Sequence, residues 1–410
     1  MTTLTTPAPS ALTSSSRVLA PDLARGLMLL LIVLANTPWY LYGSGSSYSS
    51  IHATDGSTLD GIVQFVIITA VDGRIYPMFA FLFGYGIVQM YQRSLDRGAE
   101  PKAVRRVLRR RHLWMIVIGA VHAALLWMGD IVGTYGLVGL VLTALFLKRK
   151  SRTLIVWASV FTGLMTLLAA LAVVGSIFVA QEPPPADTVN FMAGLKDVNA
   201  ITSWPASILP RLTTWAFLLV FQGFLTLVIP VAVLLAFWAA RRGVLERPDE
   251  HRRLLIGTAV VGLAIGWSGG AVHALDHVGV LGVPDHANWV FSATMPVTGL
   301  FGGLGYIALF GLIAAALVRR HREQGAVVTA ITAVGKRSLS AYLAQSVICA
   351  PLLSAWGFGL GAVLGSATTA ALAVAVWLLT VLGCALLERQ GRRGPAEWLL
   401  RRLSYGSPVS

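Results

Sequence analysis

The chain has 410 residues, 56% of them apolar and 12% charged, with a mean hydropathy of +0.71. That balance excludes an ordinary soluble enzyme, which runs about 25% charged, and excludes disorder, which needs low hydrophobicity. The formal charge of +14 would suggest nucleic acid in a soluble protein, but in a membrane protein it poses a question of sidedness.

Taken in chain order, residues 1–16 are rich in Ser, Thr, Pro and Ala and read as a disordered tail, as do residues 407–410. Residues 17–406 read as one membrane helix bundle. A span needs about 20 mostly apolar residues. Ten stretches qualify: 24–42, 60–91, 112–128, 131–147, 153–180, 211–240, 254–273, 289–318, 338–356 and 362–387. The second is too long for one straight helix and is interrupted at Asp72, Gly73 and Arg74, with Pro77 following. The fold class expected is therefore an all-α polytopic membrane protein of about ten spans.

With the N-terminus in the cytoplasm, every Lys and Arg except Arg25, Arg74, Lys196 and Arg211 falls in an inside segment. So one-sided a distribution places both termini inside a plasma (inner) membrane and accounts for the charge without nucleic acid. The basic run at 105–111 reads first as a topology anchor drawn to anionic lipid. The longest outer segment, about 181–210, reads as a polar loop. Cys349 and Cys384 both lie in apolar runs, so no disulfide framework is implied.

A charge at mid-bilayer costs at least about 2.5–3.5 kcal/mol, so polar residues within spans mark the places to look for chemistry. Asp22, Arg25 and Asn36 fall within roughly 60° of one helix face at about 100° per residue. Arg74 needs a carboxylate, a set of carbonyls or an anionic ligand, and Asp72 is the partner nearest in sequence. His122 lies about seven residues inside the outer end of its span, where an imidazole can act as a general base and Asp130 can orient it. Each cluster also has a plain structural reading, as an ion pair, a packing contact or a helix cap. His273, Asp276, His277, Asp285 and His286 share an outer segment that reads by default as a solvated loop, and no metal is expected there. The Gly299–Gly305 stripe suits internal packing or a homodimer equally well. No GxSxG, P-loop or HExxH motif supports a hydrolase or nucleotidase.

Four segments together carry a family resemblance. They are Arg17-x4-Asp22-x2-Arg25-Gly26 with Asn36 downstream; Phe79-Ala-Phe-Leu-Phe-Gly84-Tyr-Gly86; Gly119-x2-His122-x6-Gly129-Asp130-Ile131 with Tyr135-Gly136; and Gly335-x2-Ser338-Leu-Ser-x-Tyr342-Leu-x-Gln345-Ser346, closed by Gly394-Pro395-x-Glu397-Trp398 and Tyr405-Gly406. The chain resembles the YeiB-like family of bacterial multi-pass membrane proteins (domain of unknown function 418). More distantly it resembles the transmembrane acyltransferases, which include heparan-α-glucosaminide N-acetyltransferase and the acyltransferase-3 proteins. The resemblance implies acyl-CoA as co-substrate and an envelope sugar or lipid as acceptor. It implies His122 as the base or transient acyl carrier and Asp22, Arg25 and Asn36 as lining the first helix of the cavity; beside it, Asp130 is expected to act with His122, and Arg74 and Gln345 to join Asp22, Arg25 and Asn36 as substrate-binding residues. Arg25, Arg105 and Arg109 would then hold the phosphates of CoA. A transporter or flippase without covalent chemistry would use the same buried polar set, and an envelope assembly protein would use the 181–210 loop instead.

Overall fold

The computed structural model describes residues 19–184, 190–322 and 325–405. The two tails and residues 185–189 of the outer segment lie outside the described residues, as do Arg17 and Gly406 of the motifs. Among the described residues the chain forms fifteen α-helices and no sheet, with one isolated bridge between Ser46 and Ala53. Seven helical segments are long and apolar enough to cross a membrane, and four shorter apolar helices lie among them. The protein is an all-α polytopic membrane protein.

The centre of the bundle is made by α1 (Leu19–Asn36), α3 (Ile75–Asp96), α9 (Val228–Arg241) and α11 (Trp289–Arg319). Helix α9 buries nearly every side chain from Val228 to Ala240, which is the signature of a helix apolar on all sides and enclosed by protein. The perimeter is made by α6 (Ser151–Val179), α10 (Arg252–His277) and α14 (Ser366–Arg389), whose leucines and valines point outward. Exposed Leu167, Leu171, Val260 and Leu382 are stable only against lipid. Helix α4 (Pro101–Leu125) packs along α5 (Ile131–Phe146) at close range. A Cβ on Gly136 would meet the His112 carbonyl oxygen at 2.8 Å, and one on Gly119 would meet Asp130 Oδ1 at 2.4 Å. The glycines of the third motif are therefore packing residues that let two backbones touch.

The long second stretch breaks where Asp72, Gly73 and Arg74 stand. Helix α2 (Thr58–Ala70) ends, Gly73 takes φ +74°, and α3 begins at Ile75. A second break was not expected. The 211–240 stretch is two helices, α8 (Trp204–Val220) and α9, joined by a π-helical turn and by Leu227 at φ +59°. No glycine or proline marks residue 227, so tertiary packing holds a conformation that costs a leucine about 1–2 kcal/mol. Between α11 and the next apolar stretch lies helix α12 (Ala326–Lys336), which packs on α1. Gly335 makes this contact possible, because a Cβ there would sit 1.8 Å from the Asp22 carbonyl oxygen. Helix α13 (Ser338–Leu353) follows, then α14 and the amphipathic α15 (Pro395–Tyr405).

In its described residues the polar outer segment folds as a cap. Helix α7 (Phe191–Asp197) buries Lys196 to 2% exposure, and its Nζ donates to the Ser44 carbonyl, Ser44 Oγ and the Gly45 carbonyl. Asn199 Nδ2 donates to the Trp39 carbonyl at 3.0 Å. Opposite the cap, the basic helix ends meet. Arg241 donates to the Arg149 and Leu147 carbonyls, Arg337 pairs with Glu388 at 2.6 Å, and Arg319 pairs with Asp249 at 2.5 Å.

Candidate functional site: two cavities divided by a tyrosine

At the basic end a cavity of about 900 Å3 opens among α1, α3, α4, α12, α13 and α15. That is near the top of the usual range for small-molecule sites, roughly 300–1,000 Å3. Its wall carries Arg25, Arg93, Arg97, Arg111, Arg392, Arg393 and Arg401. Three carboxylates share the wall, and each has a partner. Asp22 lies 3.4 Å from Arg25, and Glu388 takes Lys336 and Arg337. Glu397 accepts from the Leu339 and Ser340 backbone N–H groups, capping α13. Arg93, Arg97, Arg111, Arg392 and Arg393 form no ion pair among the described residues. The vestibule is thus strongly electropositive.

The deep end of the vestibule is closed by Tyr135, Val132 and Tyr342. Tyr342 is 2% exposed, and its hydroxyl accepts from the Ile131 N–H at 3.4 Å. Its ring stands edge-on to His122 with centroids 5.4 Å apart. On the far side of the same ring lies a second, small chamber of about 10 Å3. It is lined by Asn36, Tyr40, Trp127, Tyr342 and Gln345 among others. Helix α1 runs from one cavity to the other, carrying Asp22 and Arg25 at the vestibule and Asn36 at the chamber.

His122 and Asp130 are joined by a 2.7 Å hydrogen bond from Nδ1 to Oδ2, with both side chains buried. Asp130 also caps α5, its Oδ1 accepting from the Gly133 N–H at 2.7 Å. A carboxylate only accepts, so the bond fixes the imidazole with its proton on Nδ1. His122 Nε2 then keeps its lone pair, and it is buried with no partner among the described residues. A base held in one tautomer with its reactive nitrogen free is the arrangement general-base chemistry needs. His122 lies three residues from the end of α4, closer to the helix end than the sequence indicated.

The remaining candidates separate. Gln345 donates to the Leu29 carbonyl at 3.2 Å and leaves Oε1 free. Arg74 lines neither cavity. Its guanidinium donates to the carbonyls of Ile68, Asp72 and Gly266, and a Cβ on Gly270 or Gly302 would strike it. It is the clamp of the α2–α3 break, and it takes the Asp72 backbone instead of the carboxylate. The Asp72 carboxylate accepts from His52 Nε2 at 2.7 Å. His52 sits in a Ser- and Gly-rich loop that gave no periodic signal, and it was missed. His273 is buried and His277 half-buried rather than solvated, with the His277 ring 5.9 Å from His52. Asp276 and Asp285 are used in local loop contacts, and His286 Nε2 bonds the Val179 carbonyl at the end of α6. No group of three metal-ligating side chains occurs among the described residues. Arg105 and Arg109 do not reach the vestibule wall, where Arg93, Arg97, Arg392 and Arg393 stand instead. The Gly299–Gly305 stripe is occupied within the molecule by Gly73, Arg74 and Leu263, so it offers no dimer surface.

Fold and site together define a class: a polytopic helical membrane protein with a basic vestibule at one end and a buried His–Asp pair behind its floor. Residues 239–407 match the family described as "Protein of unknown function (DUF418)". The chain is 26% identical over 425 residues to the uncharacterised protein YxaH of Bacillus subtilis (strain 168), covering 96% of this chain and 95% of that one. It is 28% identical over 405 residues to the uncharacterised protein YeiB of Escherichia coli (strain K12), covering 93% and 95%. A 39.9 kDa uncharacterised protein of Bacillus acidopullulyticus is 28% identical over 173 residues, 42% of this chain. The chain is thus similar over nearly its whole length to YxaH and YeiB, and its C-terminal part matches the DUF418 family.

Proposed function

We propose that this protein is a plasma-membrane acyltransferase that takes an acyl group from cytoplasmic acyl-CoA and passes it to a sugar or lipid acceptor of the envelope. The observation that carries the reading is the vestibule. It is large, five of its arginines form no ion pair among the described residues, and it narrows to Tyr342 beside His122. A CoA carries a diphosphate and a 3′-phosphate on a long flexible arm. Guanidinium groups at the mouth suit the phosphates, and the arm spans the depth to the floor. The positive-inside rule puts this mouth in the cytoplasm, where acyl-CoA is found.

The chemistry balances with this chain's own groups. The acceptor's nucleophile loses its proton to His122 Nε2 as it attacks the thioester carbonyl. Asp130 stabilises the imidazolium that forms. The carbon–sulfur bond breaks, the new acyl bond forms, and the CoA thiolate takes the proton back. Tyr342 separates donor from base in the described conformation, so its ring must turn aside for the step to occur.

The two-cavity arrangement also suits a transporter that moves a molecule past Tyr342 without covalent change. One assay separates the two. Purified protein is incubated with acetyl-labelled acetyl-CoA and extracted envelope lipid. The acyltransferase reading expects a labelled lipid product that disappears in His122→Ala with folding intact. Movement of lipid between vesicle leaflets with no labelled product would replace it with the transporter.

A further inference from the structure

The small chamber beyond Tyr342 contains a specific pair of free groups. Trp127 and Gln345 both line it, at 2% and 3% exposure. Trp127 Nε1 and Gln345 Oε1 are buried with no hydrogen-bond partner among the described residues. Buried polar atoms are nearly always paired, so two orphans on one chamber wall need an occupant. Their identities are fixed by their surroundings. Gln345 Nε2 is committed to the Leu29 carbonyl, which leaves the oxygen as the free atom. The Trp127 ring is stacked on Tyr40 at 4.5 Å and set edge-on to Trp39 at 6.4 Å, so its N–H cannot swing to another partner. The chamber presents this unpaired donor and this unpaired acceptor, with Asn36, Thr37, Tyr40 and Ser346 also on its wall, around room for about one water-sized group.

We propose that this chamber is the acceptor subsite and that it recognises an alcohol. In the resting bound state a hydroxyl oxygen accepts from Trp127 Nε1–H while its proton is donated to Gln345 Oε1, and both orphans are satisfied; for transfer that proton must turn from Gln345 to His122 Nε2. An alkylammonium has donors but no lone pair, and would leave the indole N–H buried and unpaired. A carboxylate has no proton to donate and would set negative charge against the Gln345 carbonyl. An alkylamine is charged at neutral pH, since its ordinary pKa lies near about 10.4. The inference deepens the acyltransferase reading by naming O-acylation over N-acylation, and for that step it rests on that reading. The hydroxyl site itself does not.

The test uses the full chain labelled with 15N-tryptophan in lauryldimethylamine oxide, a detergent without hydroxyls. Trp127→Phe identifies the Trp127 indole resonance by its disappearance. The unaltered protein is titrated with 1-octanol, octylammonium and octanoate. The proposal expects 1-octanol alone to move that resonance saturably, with binding about tenfold weaker in Gln345→Met, which keeps volume and loses the acceptor. Equal shifts with all three would mean apolar partitioning, and no shift with any would mean a buried water only; either result overturns it. The three-ligand comparison decides even if Gln345→Met does not fold. Octanol is then supplied with acetyl-CoA. Octanol bound in the chamber with no octyl acetate formed would keep the hydroxyl site and reject the acyltransferase.

Discussion

Asp130 carries two jobs that substitution can separate. Its Oδ1 caps α5 through the Gly133 N–H, and its Oδ2 holds His122 Nδ1–H, both at 2.7 Å. Asp130→Ala removes both. A lost N-cap costs about 1 kcal/mol, and breaking a buried pair so that one polar partner is stranded costs about 3–5 kcal/mol. Asp130→Asn keeps a good cap, since an amide oxygen accepts from Gly133 as well as a carboxylate oxygen does. The amide nitrogen then faces His122 Nδ1 and donates to it. The imidazole must move its proton to Nε2, and the free base becomes a donor. Asp130→Asn therefore unfolds within about 1–2 kcal/mol of the unaltered protein while losing acyl transfer by about 10²–10⁴-fold, the usual contribution of a general base. Denaturant unfolding in detergent gives the first number and 15N shifts of labelled histidine give the tautomer. Full transfer in Asp130→Asn, or a His122 proton still on Nδ1, would refute the tautomer argument. Equal stability losses in Asn and Ala would refute the division of labour.

Three further outcomes follow from the packing. Arg74→Ala strands the carbonyls of Ile68, Asp72 and Gly266 and opens a cavity; it lowers stability by about 3–5 kcal/mol but leaves acyl-CoA affinity within about twofold, because Arg74 lines neither cavity. A specific loss of affinity at unchanged melting temperature would return Arg74 to the site. Gly335→Ala puts a Cβ 1.8 Å from the Asp22 carbonyl, so α12 cannot dock on α1, and gel filtration is expected to show aggregated protein; normal monodisperse yield would contradict this contact. Lys196 lies in the cap, where burial pushes its ammonium down to about 8. The unfolded chain then holds a proton that the folded chain has released between about pH 8 and the usual lysine value. Stability of the cap therefore rises with pH across that window, read by hydrogen exchange over 191–200 with rates corrected for pH, and Lys196→Met flattens the rise; a fall with pH would reverse the assignment.

Much of the architecture was legible because lipid writes a strong signal. The ten apolar stretches, the break at Asp72–Arg74 and the one-sided charge all come from the cost of polar groups in hydrocarbon. The Leu227 break was not legible, since nothing local favours a left-handed leucine and only the packing of α8 and α9 imposes it. The His122–Asp130 pair was legible because an eight-residue separation spans one tight α4–α5 turn. The vestibule as a whole was not: its arginines come from α1, α3, α4, the segment after α14 and α15, which are distant in sequence. The same limit hid His52, whose partner Asp72 comes from the next helix break. It also left the partner of Arg74 open among a carboxylate, a set of carbonyls and an anionic ligand, where geometry supplies three carbonyls.

The central claim is that the basic vestibule holds the phosphates of an acyl-CoA. Calorimetric titration of the purified protein with acetyl-CoA tests it most directly, with dephospho-CoA and the Arg97→Gln/Arg393→Gln protein as comparisons. Both arginines are exposed and free of ion pairs among the described residues, so their loss leaves the fold intact. The account predicts saturable binding that weakens about tenfold in each comparison and falls with added salt. Absence of binding, or binding indifferent to the 3′-phosphate, to both arginines and to salt, would contradict it.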